Sequence, residues 1–465
     1  MKARYIITLF ILAAVLAPVG AQIGPNTGDR DAAVEAILTR AVEYLAVSKY
    51  DEAIAVFDTI PQPQRETSGL RLIRASILSS AGKFAEARAG VEAVLASEPG
   101  NIDALFMLAA IEGVTGRRQQ QLRALERIIA IEPNNTEALI SLGNVNLETR
   151  NMRQAADYFY RVLTNDGRNA QAMLGLARAL RMNTEWDEAE MLLDRVVSLY
   201  PNMVEARNDR ARFYWGRGRY REALEEFDAA IKLSPNDFWL AVDKAELLLE
   251  MDRKPESLAE FNRAIAINPN EFTPYAYTAG LKDDLGDHEG AERDYAILAR
   301  LKPDYYFALE GLGLHKMRKG EWAAARDAFM EAYRHAPNEH YLALLAAISW
   351  MRMGDVTAPR AYLNQVQNRV TRNTLEWYMF RLYYDMTSRN YQGEYDMVSR
   401  LDKETDETLK ARMMFYMAWY YEVRGTTTAA NRYFRMVNEL DKRAIPEWRL
   451  NEWKLIDKGI HPTIF

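Results

Sequence analysis

The chain has 465 residues, of which 49% are apolar and 27% are charged, and its formal net charge is −6. This composition excludes a largely disordered chain and a membrane protein with many spans, and the mild acidity argues against a general nucleic-acid binder. Because the chain contains no Cys, disulfide frameworks, thiolate catalysis and Cys-ligated metal sites are also excluded.

The N-terminus predicts a secretory signal peptide over residues 1–21. Lys2 and Arg4 precede an apolar run that begins at Ile6, and small side chains lead up to Ala21. This three-part arrangement predicts cleavage after Ala21 and a periplasmic or secreted mature protein. Retention as an N-terminal anchor is the alternative, although the run is shorter than the ~20 apolar residues that span a bilayer. No later stretch is long and apolar enough to cross a membrane, so we expect no transmembrane span in the mature chain.

An N-terminal linker over residues 22–33 leads into ten repeats of 34 residues, which occupy residues 34–373. A Pro recurs at this interval, with Gly in one place: Pro99, Pro133, Gly167, Pro201, Pro235, Pro269, Pro303 and Pro337. When this residue is numbered position 32, position 8 is Ala or Gly in all ten repeats. Apolar positions 4, 7 and 11 predict the inner face of one helix, and positions 24 and 27 that of a second. Each pair leaves an apolar face that only the next pair can cover, so we expect stacked helix pairs.

The predicted second helices carry the residues of a known repeat. Two segments resemble the second-helix consensus of the tetratricopeptide repeat family: Tyr50-Asp51-Glu52-Ala53-Ile54, and Tyr220-Arg221-Glu222-Ala223-Leu224 with Leu233-Ser234-Pro235-Asn236. The resemblance holds in one register over all ten repeats. It implies an all-α tetratricopeptide-repeat solenoid, a right-handed superhelix of helix–turn–helix units with a concave groove that binds partners.

Beyond residue 373 the register slips. We predict two divergent repeats over residues 374–444 and a capping segment over residues 445–465 for the open end of the solenoid. Pro359, at position 20 of the tenth repeat, predicts a second helix that begins late or bends. The divergent repeats are rich in aromatic residues, namely Trp377, Tyr378, Tyr383, Tyr384, Tyr391, Tyr395, Tyr416, Trp419, Tyr420 and Tyr421. We expect most of them to be core, and the remainder to be available to a partner or a glycan.

A search for catalytic motifs finds none. The five His residues show no HExxH pair or other close ligand spacing, and the chain has no Walker-type glycine loop and no GxSxG motif. His335 and His340 lie on either side of Pro337, which predicts surface turn positions. We therefore predict a protein that is not an enzyme and that uses no cofactor and no metal.

Two regions of the concave groove are candidate partner-binding sites. The first is basic, and its residues are Arg178, Arg181, Asn208 and Arg212. Arg suits carboxylates and phosphates because its planar fork forms bidentate hydrogen bonds. The alternative is ion pairing with acidic neighbours, namely Glu205, Asp209, Asp243 and Glu246.

The second region is apolar, and its residues are Phe307, Leu314, Met317, Tyr341, Leu344, Ile348 and Met351. Exposed apolar patches mark interfaces, and this one suits an extended segment or an amphipathic helix of a partner. The alternative is that the aromatic C-terminal repeats curl back and cover it.

These observations favour a non-enzymatic protein–protein interaction scaffold that is exported to the cell envelope. Its expected partners are other envelope proteins or peptide segments held in the concave groove, and no nucleic acid is expected. The alternative is a carbohydrate- or peptidoglycan-binding envelope protein that uses the aromatic C-terminal region.

Overall fold

A computed structural model describes residues 28–386 and 391–459. All regular secondary structure within these two ranges is helical, so the predicted all-α repeat fold is confirmed. The chain divides into two compact units, residues 1–233 and residues 234–465. The predicted signal peptide lies outside the described residues, as do the last six residues of the predicted capping segment.

The first unit is built from helix pairs joined by short turns. Its helices are α1 (Gly28–Ala46), α2 (Tyr50–Phe57), α3 (Gln62–Arg65), α4 (Ser68–Ser80), α5 (Phe84–Ser97), α6 (Ile102–Val114), α7 (Arg118–Ile131), α8 (Thr136–Glu148), α9 (Met152–Asn165), α10 (Ala170–Met182), α11 (Trp186–Leu199), α12 (Val204–Gly216) and α13 (Tyr220–Leu233). From α4 onward, a first helix of 13 residues alternates with a second helix of 14 residues.

The second unit continues with helix pairs of the same kind. Its helices are α14 (Phe238–Glu250), α15 (Lys254–Ile267), α16 (Phe272–Asp284), α17 (His288–Leu301), α18 (Tyr306–Arg318), α19 (Trp322–His335), α20 (Tyr341–Arg352), α21 (Ala358–Gln367), α22 (Leu375–Tyr384), α23 (Tyr391–Leu401), α24 (Glu407–Val423), α25 (Thr427–Glu439) and α26 (Pro446–Asp457). None of the helices in the described ranges combines the length and the hydropathy needed to cross a membrane.

Asn side chains begin the first helices of consecutive repeats. The side-chain oxygens of Asn101, Asn135 and Asn169 each accept a hydrogen bond from the backbone N–H three residues further on, at 2.9–3.0 Å. Each Asn stands two positions after the recurring Pro or Gly. In these three repeats the second helix ends four residues before the Asn that caps the next first helix, and the recurring Pro or Gly lies between them.

The turn inside each repeat uses one left-handed residue. Position 15 has a positive φ whether it is Gly, as at Gly218 (72°), or not, as at Thr184 (65°) and Asp252 (54°). Gly adopts this conformation without a steric cost from a Cβ atom, whereas other residues adopt it at a cost. The turn therefore explains why Gly recurs between the two helices of a repeat.

Small residues at position 8 make room for an aromatic ring from position 24. A Cβ atom on Gly143, at position 8, would lie 2.5 Å from the buried ring of Phe159. One on Gly175, at position 6 of the next repeat, would lie 2.3 Å from the same ring. In the second unit, a Cβ atom on Gly313 would lie 2.6 Å from the buried ring of Phe329. The rings thus occupy the space that a side chain at these positions would need.

The tenth repeat departs from the register at its second helix. The other second helices begin at position 17, which corresponds to residue 356 here, but α21 begins at Ala358 with Pro359 in its first turn. Because Pro fits only the first turn of a helix, the helix begins late, as Pro359 predicts.

Candidate partner-binding faces

The first helices of successive repeats present one row of side chains within each unit. The resemblance to the repeat family places positions 2, 5, 6, 9, 12 and 13 in this row, and we call the surface that they form the first-helix face. The predicted basic site lies on α10 and α12 in the first unit. The predicted apolar site lies on α18 and α20 in the second unit.

Arg178 is held by two carboxylates of α12. Its Nη2 donates to Glu205 Oε1 at 2.7 Å, and its Nε lies 2.6 Å from Asp209 Oδ2. The Asp209 side chain is largely buried, and this burial raises its pKa by more than the charge of Arg178 lowers it. For Arg178, ion pairing with acidic neighbours is therefore what the structure shows.

Arg181 lies three residues further along α10 and differs from Arg178 in its partners. Its side chain is half-buried, and it makes no hydrogen bond and no ion pair with any residue that the structure describes. Burial is the largest effect on the pKa of its guanidinium and lowers it; Asp209 opposes the shift, and Arg212 and Arg178 add to it. A half-buried cation with free donors is suited to an acceptor from another molecule.

Asn208 and Arg212 lie on α12, which packs beside α10. Asn208 Oδ1 is buried and has no hydrogen-bond partner among the described residues. Arg212 is exposed and already has an interaction partner. The structure therefore brings the four predicted residues onto one face, where Arg181 has free donors and Asn208 has a free acceptor.

The predicted apolar site of the second unit is not an open surface in the structure. Phe307 alone among its seven residues is exposed, at 49%. The others are at most 6% exposed, namely Leu314, Met317, Tyr341, Leu344, Ile348 and Met351. They share one core with Phe415, Trp448 and Trp453 of the C-terminal helices. The structure therefore agrees with the alternative to an open binding site, because the chain's own C-terminal helices cover the patch.

Polar groups join α24 and α26 to the first-helix face of α18 and α20. The Tyr341 hydroxyl donates to Glu310 Oε1 at 3.0 Å, and the Tyr416 hydroxyl lies 3.3 Å from the Tyr341 carbonyl oxygen. Glu447 is fully buried, with Oε1 2.8 Å from the Tyr416 hydroxyl and 3.1 Å from Arg412 Nε. Burial raises the pKa of Glu310 to about 7, because a charged carboxylate loses its hydration there.

A second polar cluster joins α26 to α16. Asp283 Oδ1 lies 3.1 Å from His288 Nδ1 and 3.1 Å from His315 Nε2, and Asp283 Oδ2 accepts from Arg449 Nη1 at 2.9 Å. Burial is the largest single effect on the pKa of Asp283 and raises it. The interactions with His315, His288 and Arg449 together outweigh burial and bring the pKa below its usual range. The Trp453 ring lies 5.2 Å from His288 and 5.3 Å from His315, centroid to centroid.

Sequence reasoning missed this cluster. Arg449 and Asp283 are 166 residues apart, and His288 and His315 match no local ligand pattern. Of the two histidines predicted at the surface, His335 is exposed and His340 is partly buried. Across the ranges that the structure describes, no group of three His, Cys, Asp or Glu side chains is placed to hold a metal ion.

The aromatic residues of the C-terminal repeats are mostly core or covered. Tyr383, Tyr416, Trp419 and Tyr420 are buried. Guanidinium groups lie over three of the partly exposed rings, with Arg400 over Tyr378, Arg381 over Trp377 and Arg360 over Tyr384. Tyr395 is 70% exposed. A row of bare aromatic faces, which a glycan platform needs, is thus not formed by these described rings.

Comparison with known families agrees with this fold. A family profile described as tetratricopeptide repeat matches residues 140–204, 174–238 and 281–340, and a second profile of the same description matches residues 214–279. Together with the helix pairs, these matches show that the chain contains tetratricopeptide repeats between residues 140 and 340. Proteins of this family are generally protein-interaction scaffolds. No curated protein sequence matches the chain.

Solved structures match parts of the chain. A tetratricopeptide repeat protein from Parabacteroides merdae is 19% identical, with a TM-score of 0.46 over 53% of this chain and 97% of its own. YrrB, described as a TPR protein with an unusual peptide-binding site, is 20% identical, with a TM-score of 0.35 over 41% of this chain and 98% of its own. The pilF protein of Pseudomonas aeruginosa is 20% identical, with a TM-score of 0.38 over 43% of this chain and 92% of its own.

Proposed function

We propose that this protein is a non-enzymatic interaction scaffold of the cell envelope, and that the first-helix face of its first unit holds a segment of a partner protein. The family's general role and the predicted signal peptide support the proposal. The observation that carries it is Arg181, a half-buried cation that makes no hydrogen bond or ion pair within the described residues.

The chemistry of the site favours a peptide segment. Arg181 has donors that need an acceptor. An extended backbone offers carbonyl groups along its length, so one segment can accept from this guanidinium. An acidic side chain on the same segment would form the stronger, charge-assisted pair with Arg181.

The partner site is tested by cross-linking in living cells, followed by purification of the chain and its captured proteins. The Arg181→Glu variant is compared with the native chain and with Arg153→Glu, which makes the same charge change at an exposed position on the second helix α9. We expect the native chain and Arg153→Glu to capture the same envelope protein and Arg181→Glu to lose it. If the Arg181→Glu variant captures the same protein as the native chain, the partner site does not lie on this face.

Export is tested separately, by fusing residues 1–33 to an alkaline phosphatase that is active only outside the cytoplasm. We expect activity from this fusion and none from a matched fusion in which Lys2, Arg4 and the apolar run are deleted. An inactive native fusion would place the scaffold inside the cell. If the native chain captures no protein but sediments with insoluble cell wall, the carbohydrate- or peptidoglycan-binding alternative replaces the proposal.

A further inference from the structure

Helix α26 crosses the first-helix face of the second unit. Near its start, Glu447 lies in the buried polar group that includes Tyr416 and Arg412, next to Tyr341 of α20. Near its end, Trp453 lies against α18, with the Arg318 guanidinium 5.0 Å from the ring centroid. An amphipathic helix of a partner would lie on this row of positions in the same way.

The contacts that α26 makes with this face are of the kinds found at an interface between two proteins. Arg449 Nη1 donates to Asp283 at 2.9 Å, and Arg449 Nη2 lies 3.4 Å from Asp284 Oδ1. The Trp453 ring fills a site between His288, His315 and Arg318. A buried aromatic anchor flanked by charge pairs is the usual arrangement of a binding hot spot.

The same helix leaves polar groups unsatisfied in its docked position. Asn451 is fully buried, and both its side-chain oxygen and its side-chain nitrogen have no hydrogen-bond partner in the described residues. The Trp448 Nε1 and Glu447 Oε2 atoms are also buried and also have no hydrogen-bond partner among the described residues. Each such group lowers the net stability of the docked state, because it has given up water without a replacement. The turn of residues 440–445 joins α26 to α25, and Lys458 Nζ at the end of α26 donates to Asn431 Oδ1 of α25 at 2.8 Å.

We propose that the face formed by α16, α18 and α20 is a binding site for a helix of a partner protein, and that α26 is its internal occupant. The partner helix carries an acidic residue, an Arg two positions later and a Trp six positions later, as Glu447, Arg449 and Trp453 do in α26. This inference rests on the proposed function, since it names the partner chemistry of a second face of the same scaffold. Because a tethered helix competes at an effective concentration of about 1 mM, a free helix enters only when the docking of α26 is weakened.

The test uses the full chain and a fluorescein-labelled peptide of residues 444–459 as the partner helix. Binding is followed by fluorescence anisotropy for the native chain, for Arg449→Glu, and for Arg435→Glu as the matched control. Arg449→Glu removes the pairs with Asp283 and Asp284 from the tethered helix, while the peptide keeps its Arg. Arg435 is exposed on α25, so its reversal makes the same charge change away from the face.

We expect Arg449→Glu to bind the peptide at least about tenfold more tightly than the native chain or Arg435→Glu does, because reversal breaks a partly buried charge pair. A peptide with Trp453→Ala should bind no variant. The proposal is overturned if Arg449→Glu takes up no peptide although hydrogen exchange shows α26 released. It is also overturned if the Trp453→Ala peptide binds as well as the native one.

A second measurement on the native chain guards against a variant that does not fold. Amide hydrogens of α26 should exchange at least about tenfold faster than those of α24 and α25, because α26 opens without the pair beside it. Equal protection of the three helices would show that α26 is a permanent part of the core and would overturn the inference. Loss of capture by Arg181→Glu concerns the first unit alone, so failure here and failure of the proposed function are distinguishable.

Discussion

The two units share one repeat skeleton but use the first-helix face in opposite ways. In the first unit the face on α10 and α12 carries charged side chains, and Arg181 on it has free donors. In the second unit the face on α18 and α20 is apolar and is covered by α24 and α26. The repeat therefore determines where the face lies, whereas the residues on the face determine whether the chain itself covers it.

The largest effect expected from this comparison concerns two residues of the predicted apolar site. Ile348 is fully buried under the C-terminal helices, whereas Phe307 is half-exposed and contacts the rings of its neighbours Tyr305 and Tyr306. Ile348→Asp should lower the free energy of unfolding of the second unit by about 4 kcal/mol or more, because a charge enters an apolar core. Phe307→Asp should cost less than about 1 kcal/mol. Denaturant unfolding of both variants checks this, and equal costs would mean that the face is open.

A pH experiment examines the covered face at Glu310. Its raised pKa, from 4.5 to about 7, means that the folded chain holds a proton that the unfolded chain has released. Stability from this group is therefore present below pH 4.5 and is lost as the pH rises to 7. The charged groups facing it are Glu447 on α26, Glu339 and Arg412 on α24.

Glu310→Gln stays neutral at every pH, so its advantage over the native chain should grow with pH. We expect a gain of roughly 3 kcal/mol in the free energy of unfolding at pH 8 and almost none at pH 4. Denaturant titrations at the two pH values check this. A difference that does not vary with pH would show that Glu310 is not held in the buried contact.

The shared skeleton predicts equal effects in the two units at position 8. Gly143→Ala and Gly313→Ala should each cost about 2 kcal/mol, because the new Cβ atoms would meet the buried rings of Phe159 and Phe329. Gly216→Ala is the control, since its Cβ atom would meet nothing within 4 Å, and it should not destabilise the chain. Thermal melts of the three variants decide whether the packing is the same in both units.

The smallest expected effect is at the turn of the repeat. Thr184 has a φ of 65° and Gly218, at the same position of the next repeat, has a φ of 72°. Thr184→Gly should raise the free energy of unfolding by about 1 kcal/mol, because a β-branched residue is strained in this conformation. Gly218→Thr should lower it by a similar amount. Thermal melts should show that one variant is more stable and the other less stable than the native chain. Changes in stability of the same sign would contradict the shared turn geometry.

Much of the fold was predictable from the sequence because the signals are local. The recurring Pro, the Ala or Gly at position 8 and the Gly of the turn act on residues within one repeat. They predict the helix pairs in the right register as far as the tenth repeat, including the late start of α21 at Pro359. The basic site was predicted from its residues alone, but the different states of Arg178 and Arg181 depend on where Asp209 and Glu205 point.

What only the tertiary structure decided is the fate of the apolar face. Ile348 and Phe307 follow the same positional rule, and nothing near them in the chain shows that one is covered and the other is not. The covering contacts, such as Arg449 with Asp283, join residues 166 positions apart. A 34-residue period encodes contacts between neighbouring repeats, and it carries no information about a helix that returns from outside the period.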